Sequence, residues 1–264
     1  MPTASAPARP QALPAGTPEP ATLRLAATEL TLFIREQIGP IWGLGLPVVL
    51  LVIFGSIPSF HHARESLGGQ NLLDTYMPVL VALAVALLGL SALPSILASY
   101  RERGILRRMS TTPIGPQRVL GAQLAIHLGM AIIATALVLG VGRTAYGAAL
   151  PRQPAMYALV WLLAAVALLA LGLLIAAIAP GPRVAQGIGS AIFFPLMFFA
   201  GLWVPIPTMP DVLRSVSGWT PLGAAVQSLS AATAGHGLDP VRLLVLAGYG
   251  LAFGTAAARL FRWE

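Results

Sequence analysis

The sequence contains no lysine and no cysteine, and only 9 of its 264 residues are acidic. Each absence removes a class of chemistry. Without cysteine there is no disulfide, no thiolate metal ligand and no cysteine nucleophile. Without lysine no standard nucleotide-hydrolysing P-loop can form, because that loop needs a lysine to reach the β- and γ-phosphates. All 16 basic residues are arginine, and charged residues amount to 9% of the chain. A soluble domain carries about 25%. With 56% hydrophobic residues and a mean hydropathy of +0.79, the chain has too little polar surface to cover a globule in water. That largely rules out a soluble enzyme, a disordered protein and a nucleic-acid partner. The working solvent is the bilayer.

What is present is a succession of apolar runs. Long charge-free stretches lie between Glu36 and Arg64, Asp74 and Arg101, Arg118 and Arg143, Arg152 and Arg183, Arg183 and Asp211, and Arg242 and Arg259. A helix crosses about 30 Å of hydrocarbon with roughly 20 residues, and about 17 suffice. Spans are therefore expected at 38–57, 77–98, 119–141, 157–179, 185–206 and 242–259. In lipid every backbone polar group must be bonded internally, and these runs lack the alternation of a closed barrel, so they are expected as helices. A further charge-free stretch, 215–238, is diluted by Ser, Thr, Gly and Pro. It is expected as a re-entrant or interfacial hairpin between the fifth and sixth spans, shielded by protein. The predicted fold class is an all-α membrane protein of six transmembrane helices.

Six crossings put both termini on one side. That side holds eleven arginines (Arg9, Arg24, Arg35, Arg101, Arg103, Arg107, Arg108, Arg118, Arg183, Arg259 and Arg262), and the other holds Arg64, Arg143, Arg152, Arg214 and Arg242. The excess marks the cytoplasmic side of a cell membrane. Counting 215–238 as a seventh span would export Arg259 and Arg262, against that bias. Residues 1–20 contain six prolines and little to bury, so they read as a disordered cytoplasmic tail ahead of one transmembrane domain over 21–264. Residues 21–37 place Leu23, Ala26, Ala27, Leu30, Phe33 and Ile34 near one helical face. An N-terminal amphipathic helix lying at the inner interface fits, and an extension of the first span is the plainer alternative.

Residues 100–123 carry five of the sixteen arginines. Glu102-Arg103-Gly104 precedes an amphipathic turn, Ile105 to Met109, and then Thr111-Thr112-Pro113 and Pro116. Pro113 biases Thr112 toward extended geometry, so a short helix that stops abruptly is expected. One reading is an anchor on anionic lipid. Another is docking of a soluble partner, with Leu106 and Met109 entering a groove and Arg103, Arg107 and Arg108 meeting acidic residues on its rim.

The order Glu102-Arg103-Gly104, Leu106-Arg107-Arg108-Met109, Thr112-Pro113, Pro116 and Arg118-Val119-Leu120 resembles the permeases of ABC-2 type exporters, in the antibiotic-resistance branch. A second match follows the fifth span: Phe199, Gly201, Pro205, Pro207 and Pro210, then Trp219-Thr220-Pro221-Leu222. The resemblance covers roughly residues 21–260. Gly223 departs from it, standing where many relatives carry a bulky residue, and this bears on the outer gate. The resemblance implies a homodimer of six-span subunits with separate ATPase subunits that bind ATP and Mg. It implies that Glu102, Arg103, Gly104, Leu106, Arg107, Arg108, Thr112 and Pro113 contact the ATPase. It places Pro205, Pro207, Pro210 and Pro221 at the outer gate and re-entrant segment, and runs the substrate path between subunits. The missing lysine agrees independently, since ATP hydrolysis must then reside on another chain.

Other features are weighed against plainer readings. Ser66-Leu67-Gly68-Gly69-Gln70 nearly spells an ATP-cassette signature in the wrong order and reads as an outer turn. His61, His62 and Glu65 lack a further acidic cluster or cysteine, so no metal site is expected. His127 lies inside the third span, where an ionisable side chain is a functional candidate or a bond to a neighbouring helix. Phe194 and Phe198 share a face of the fifth span with Met197 and Trp203 nearby. They form an adaptable substrate wall or lipid-facing bulk. Pro195 can kink that helix. Gly250 and Gly254 suit close helix packing.

No Asp, Glu or Arg falls clearly inside a span, which argues against an ion-coupled carrier. There is no zinc-protease motif, and Asp74, Asp211 and Asp239 sit at span ends, which argues against an intramembrane enzyme. The expected function is the non-catalytic permease of an ATP-driven exporter for a hydrophobic or amphipathic drug, antibiotic or lipid-like molecule. Export of a polysaccharide or lipid-linked glycan is the nearest rival.

Overall fold

The computed structural model describes residues 41–105, 108 and 116–260. The tail at 1–20 and the amphipathic segment at 21–37 lie outside the described residues. Among the described residues there is no strand; one isolated antiparallel bridge joins Ala63 and Asn71. A π-helical turn, Ile41–Gly45, leads into α1 (Leu46–Gly55). Helix α2 (Leu72–Leu87) continues through a second π turn, Leu88–Ala92, into α3 (Leu93–Glu102). Then follow α4 (Pro116–Tyr146), α5 (Pro154–Ile178), α6 (Pro182–Phe199), α7 (Asp211–Trp219), α8 (Pro221–Ala234) and α9 (Pro240–Leu260).

Local chemistry sets most of these boundaries. Helices α4, α5, α6, α8 and α9 all begin on proline. Proline has φ preset for a helix and lacks the N–H that a first turn leaves unbonded. The Asn71 side chain caps α2 by accepting the Asp74 N–H at 2.7 Å, and the Thr220 hydroxyl caps α8 by accepting the Gly223 N–H at 3.1 Å.

Four helical stretches have the length and apolarity to cross a bilayer: Leu72–Glu102, Arg118–Tyr146, Pro154–Ile178 and Pro240–Leu260. They match the expected second, third, fourth and sixth spans, each extended at one end or both. The other two expected spans are shorter. The described apolar helix of the first is Gly43–Gly55. The fifth was expected over 185–206, but its helix ends at Phe199, and its first turns carry Arg183 and Gln186. Gly201, at φ 90°, turns the chain out of the helix, and Trp203 to Pro210 follow as loop and one 3-10 turn at Ile206–Thr208.

The stretch expected as a hairpin at 215–238 forms two helices meeting at Thr220. Helix α7 is short and amphipathic. Helix α8 is buried through Leu222, Ala225, Val226, Ser228 and Leu229, so protein shields Gly223 and Ser228.

Helix α5 sits at the centre and packs most extensively on α9, and also on α8, α3 and the Leu88–Ala92 turn. Lipid is as apolar as leucine, so helices in a membrane associate by close packing and small residues. The tightest approaches surround the Leu88–Ala92 turn. A Cβ on Gly172 of α5 would lie 2.0 Å from the Gly89 carbonyl oxygen, and one on Gly189 of α6 would lie 2.1 Å from the Leu90 oxygen. Glycine on both flanks lets backbone meet backbone there. Gly250 of α9 packs against Val166 as expected of a small residue, whereas Gly254 faces open space.

The loops segregate by end. At one end, the Asp74 carboxylate accepts the Ala149 N–H at 2.8 Å, and Arg152 and Gln153 N–H groups donate to Thr233 and Ala232 carbonyls. This hairpin end thus gathers the loops after α1, α4 and α6. The near-signature at 66–70 is a turn here, closed by the Arg64 N–H on the Gln70 carbonyl with Gly68 and Gly69 at positive φ. At the opposite end, α3 and α5 terminate together.

Candidate functional site

The opposite end holds the arginine-rich segment. Helix α3 stops because Gly104 takes φ 64°, a left-handed conformation that glycine adopts without a Cβ clash. Its N–H donates to the Arg101 carbonyl at 2.9 Å, and the Arg103 N–H donates to Ser99 at 3.0 Å. The chain then turns off the helix axis, and Ile105 and Arg108 are helical again. Of the expected contact residues, Glu102 and Arg103 are exposed, Gly104 forms the bend and Arg108 is exposed. Leu106, Arg107, Thr112 and Pro113 lie outside the described residues.

The residue that sequence reasoning passed over is Arg101. Its guanidinium donates to the carbonyls of Ala176 at 3.2 Å, Ala177 at 3.3 Å, and also Ala179. These are the carbonyls at the C-terminus of α5, where intrahelical donors run out and partial negative charge collects. Glu102 reaches the same turn one step further along. Its carboxylate lies 3.6 Å from the position a Cβ on Gly181 would take, and Gly181 is the N-cap of α6. A cation thus covers the negative end of α5 and an anion approaches the positive end of α6. The two residues straddle the α5–α6 turn at the point where the arginine-rich segment begins. Five arginines so close together were the only sequence signal.

The proposed wall on α6 divides. Phe194 is 58% exposed and Trp203 is 50% exposed, with ring centroids 6.2 Å apart and nearly parallel. Phe198 is half-buried, edge-on to Phe199. Met197 points the other way into the core and is fully buried. His127 is also fully buried, its Nδ1 lying 2.8 Å from the Gln123 carbonyl one turn earlier on α4. Neither Met197 nor His127 opens onto the surface of the single chain.

The sequence matches the ABC-2 type transporter family over residues 21–233, most of its length. The chain belongs to this family. It is also 22% identical over 195 residues to the Bacillus subtilis (strain 168) protein named "Putative transport permease YvfS", which covers 73% of this chain and 77% of that one.

In this ABC-2 chain the proline-rich stretch expected at the outer gate builds the hairpin end. Pro205 precedes the 3-10 turn, Pro207 lies within it, Pro210 is the N-cap of α7 and Pro221 opens α8. Ser217 ties the pieces together. Its hydroxyl donates to the Phe199 carbonyl at 2.6 Å and accepts from Gln227 Nε2 at 3.0 Å. One buried side chain thus joins the end of α6, α7 and α8. The departure at Gly223 has its reason here: a Cβ there would stand 2.1 Å from the Ser217 carbonyl oxygen. The small residue and Ser217 belong to one packing solution. His61 near this end has Nε2 2.8 Å from the Gly55 carbonyl, at the close of α1.

Proposed function

We propose that this ABC-2 chain is the membrane subunit of an ATP-driven exporter for a hydrophobic or amphipathic molecule such as a drug, antibiotic or lipid. In this reading the short helices α1 and α6 complete six crossings, and α7 and α8 re-enter from the outer face. Both termini face the cytoplasm, where arginines are in excess. Two copies pair, and separate ATPase subunits bind ATP and Mg and dock on residues 100–118.

The observation that carries the reading is the junction at Arg101–Gly104. A protein pressing on the arginine-rich segment would pull on Arg101 and Glu102, and through them on the α5–α6 turn. Helix α6 bears Phe194, Phe198 and, just beyond it, Trp203. Force applied at one end would thereby reach the aromatic face. The substrate class rests on burial. Among the described residues the buried polar side chains are Gln123, His127, Ser217 and Ser228, none of them Asp, Glu or Arg. That interior suits uncharged cargo and lacks the carboxylate relay typical of an ion-coupled carrier.

The test is charge reversal of Arg107 and Arg108 to Glu in the chain co-expressed with its ATPase. The variant should insert and purify normally, lose ATPase co-purification, and lose transport of a hydrophobic dye from proteoliposomes. Normal transport by the variant would refute docking at this segment.

A further inference from the structure

Two cavities adjoin at the hairpin end, of about 350 and 400 Å³, and share Gln70, Ser230, Ala234 and His236 in their walls. Each is in the size range of small-molecule pockets, about 300–1,000 Å³. The first has an apolar side made by Tyr76, Val79, Ile206 and Val226. Arg214 and Arg242 line the same cavity, together with the amide side chains of Gln70 and Gln227. The second adds Arg152. The one carboxylate lining either is Asp74, in the second, and it is engaged by the Ala149 N–H.

The arginines are paired only weakly. Arg214 pairs with Asp211 and Arg242 with Asp239 at 3.5 Å, each three residues away on its own helix end. Neither aspartate lines a cavity, and Asp211 is 89% exposed. Ion pairs this open to solvent contribute little, so a better anion can replace them. Guanidinium forks match the two oxygens of a carboxylate or phosphate. Three arginines converge on this cleft from the loop before α5, from α7 and from α9.

We infer that this cleft binds an amphipathic anion, its phosphate or carboxylate head held by Arg214 and Arg242 and its tail laid along Tyr76, Val79, Ile206 and Val226. The inference goes beyond the transport reading and needs neither an ATPase nor a transport direction. The anion has two sources, a phospholipid headgroup of the surrounding leaflet or a soluble amphipath.

Binding is measured on the full chain in nanodiscs, without ATPase, using radiolabelled dodecyl phosphate. The wild type should bind it saturably. The R214Q/R242Q double variant should bind at least ten times more weakly. Ser230→Phe, which keeps both arginines and fills the seam between the cavities, should also weaken binding. R259Q, an exposed arginine at the far end, should bind like wild type. Undiminished binding by R214Q/R242Q overturns the site, as does equally tight binding of dodecyltrimethylammonium. Equally tight binding of inorganic phosphate overturns the role of the tail. Weaker binding in phosphatidylglycerol discs than in phosphatidylcholine discs supports the site with lipid headgroups as its occupant. Equal binding in the two supports it with a soluble amphipath. Because ATP hydrolysis and transport are absent from the assay, its failure leaves the exporter reading to its own test.

Discussion

Replacing Gly189 by alanine should loosen the bundle, while the same change at Gly187, two residues earlier on the same helix, should not. A Cβ on Gly189 would sit 2.1 Å from the Leu90 carbonyl oxygen, and real Cβ contacts essentially never fall below 3.0 Å. The difference, 3.0 minus 2.1, means α6 and the Leu88–Ala92 turn must part by about 0.9 Å. The obstructing atom is backbone, so no side-chain rotation relieves it. Overpacking of a close-packed interior costs about 1–3 kcal/mol. Alanine recovers roughly 0.5–1 kcal/mol through its better helix propensity. The net expectation is a loss of about 1–2 kcal/mol for Gly189→Ala. At Gly187 no atom lies within 4 Å of the new Cβ, so the propensity gain stands alone. Thermal unfolding of the purified chain, followed by tryptophan fluorescence, should show Gly189→Ala melting about 2–8 °C below wild type, at roughly 2–4 °C per kcal/mol for chains approaching this size. Gly187→Ala should melt at or above wild type. Gly172→Ala, 2.0 Å from the Gly89 oxygen, should behave like Gly189→Ala. If Gly189→Ala and Gly187→Ala melt together, the backbone approach at the π turn is not present in the folded protein.

Arg101→Gln should cost about 1–3 kcal/mol, as loss of charge-assisted bonds to otherwise unbonded carbonyls does. Hydrogen exchange should speed up across the last turn of α5, and Arg101→Lys should not restore it, because one ammonium cannot reproduce the planar fork. Unchanged exchange at Ile175 to Ala179 would remove Arg101 from the junction. On the exporter reading proposed above, changing Phe194 and Phe198 together to alanine should alter the spectrum of hydrophobic compounds exported and leave ATPase co-purification intact. An unaltered spectrum would make that face a lipid contact.

The all-helical class and the position of the longest spans are legible in the sequence because their causes are local. An uncharged run of sufficient length must be helical in lipid, since nothing else there can bond its backbone. Proline at first turns and glycine after last turns then mark the boundaries, as at Pro154 and Gly104. The arginine-rich segment was legible for the same reason, as a cluster contiguous in the chain. The helix of the fifth expected span is shorter than hydropathy alone implies, because hydropathy continues through Leu202, Trp203 and Val204. The helix stops at Phe199, where Gly201 turns the backbone and Ser217, brought back by α7, takes the Phe199 carbonyl.

Composition and run length by themselves determined that this is a helical membrane chain without the lysine a standard P-loop needs. Those properties sum over neighbouring residues and need no partner. Only the tertiary structure decided that Arg101 grips the end of α5, that Met197 turns inward while Phe194 faces out, and that Arg152, Arg214 and Arg242 converge on one cleft. Each of these depends on which helix lies alongside and how closely. In this bundle that is set by backbone contacts at Gly89, Gly172, Gly189 and Gly223, where the residue that matters is defined by what it leaves room for.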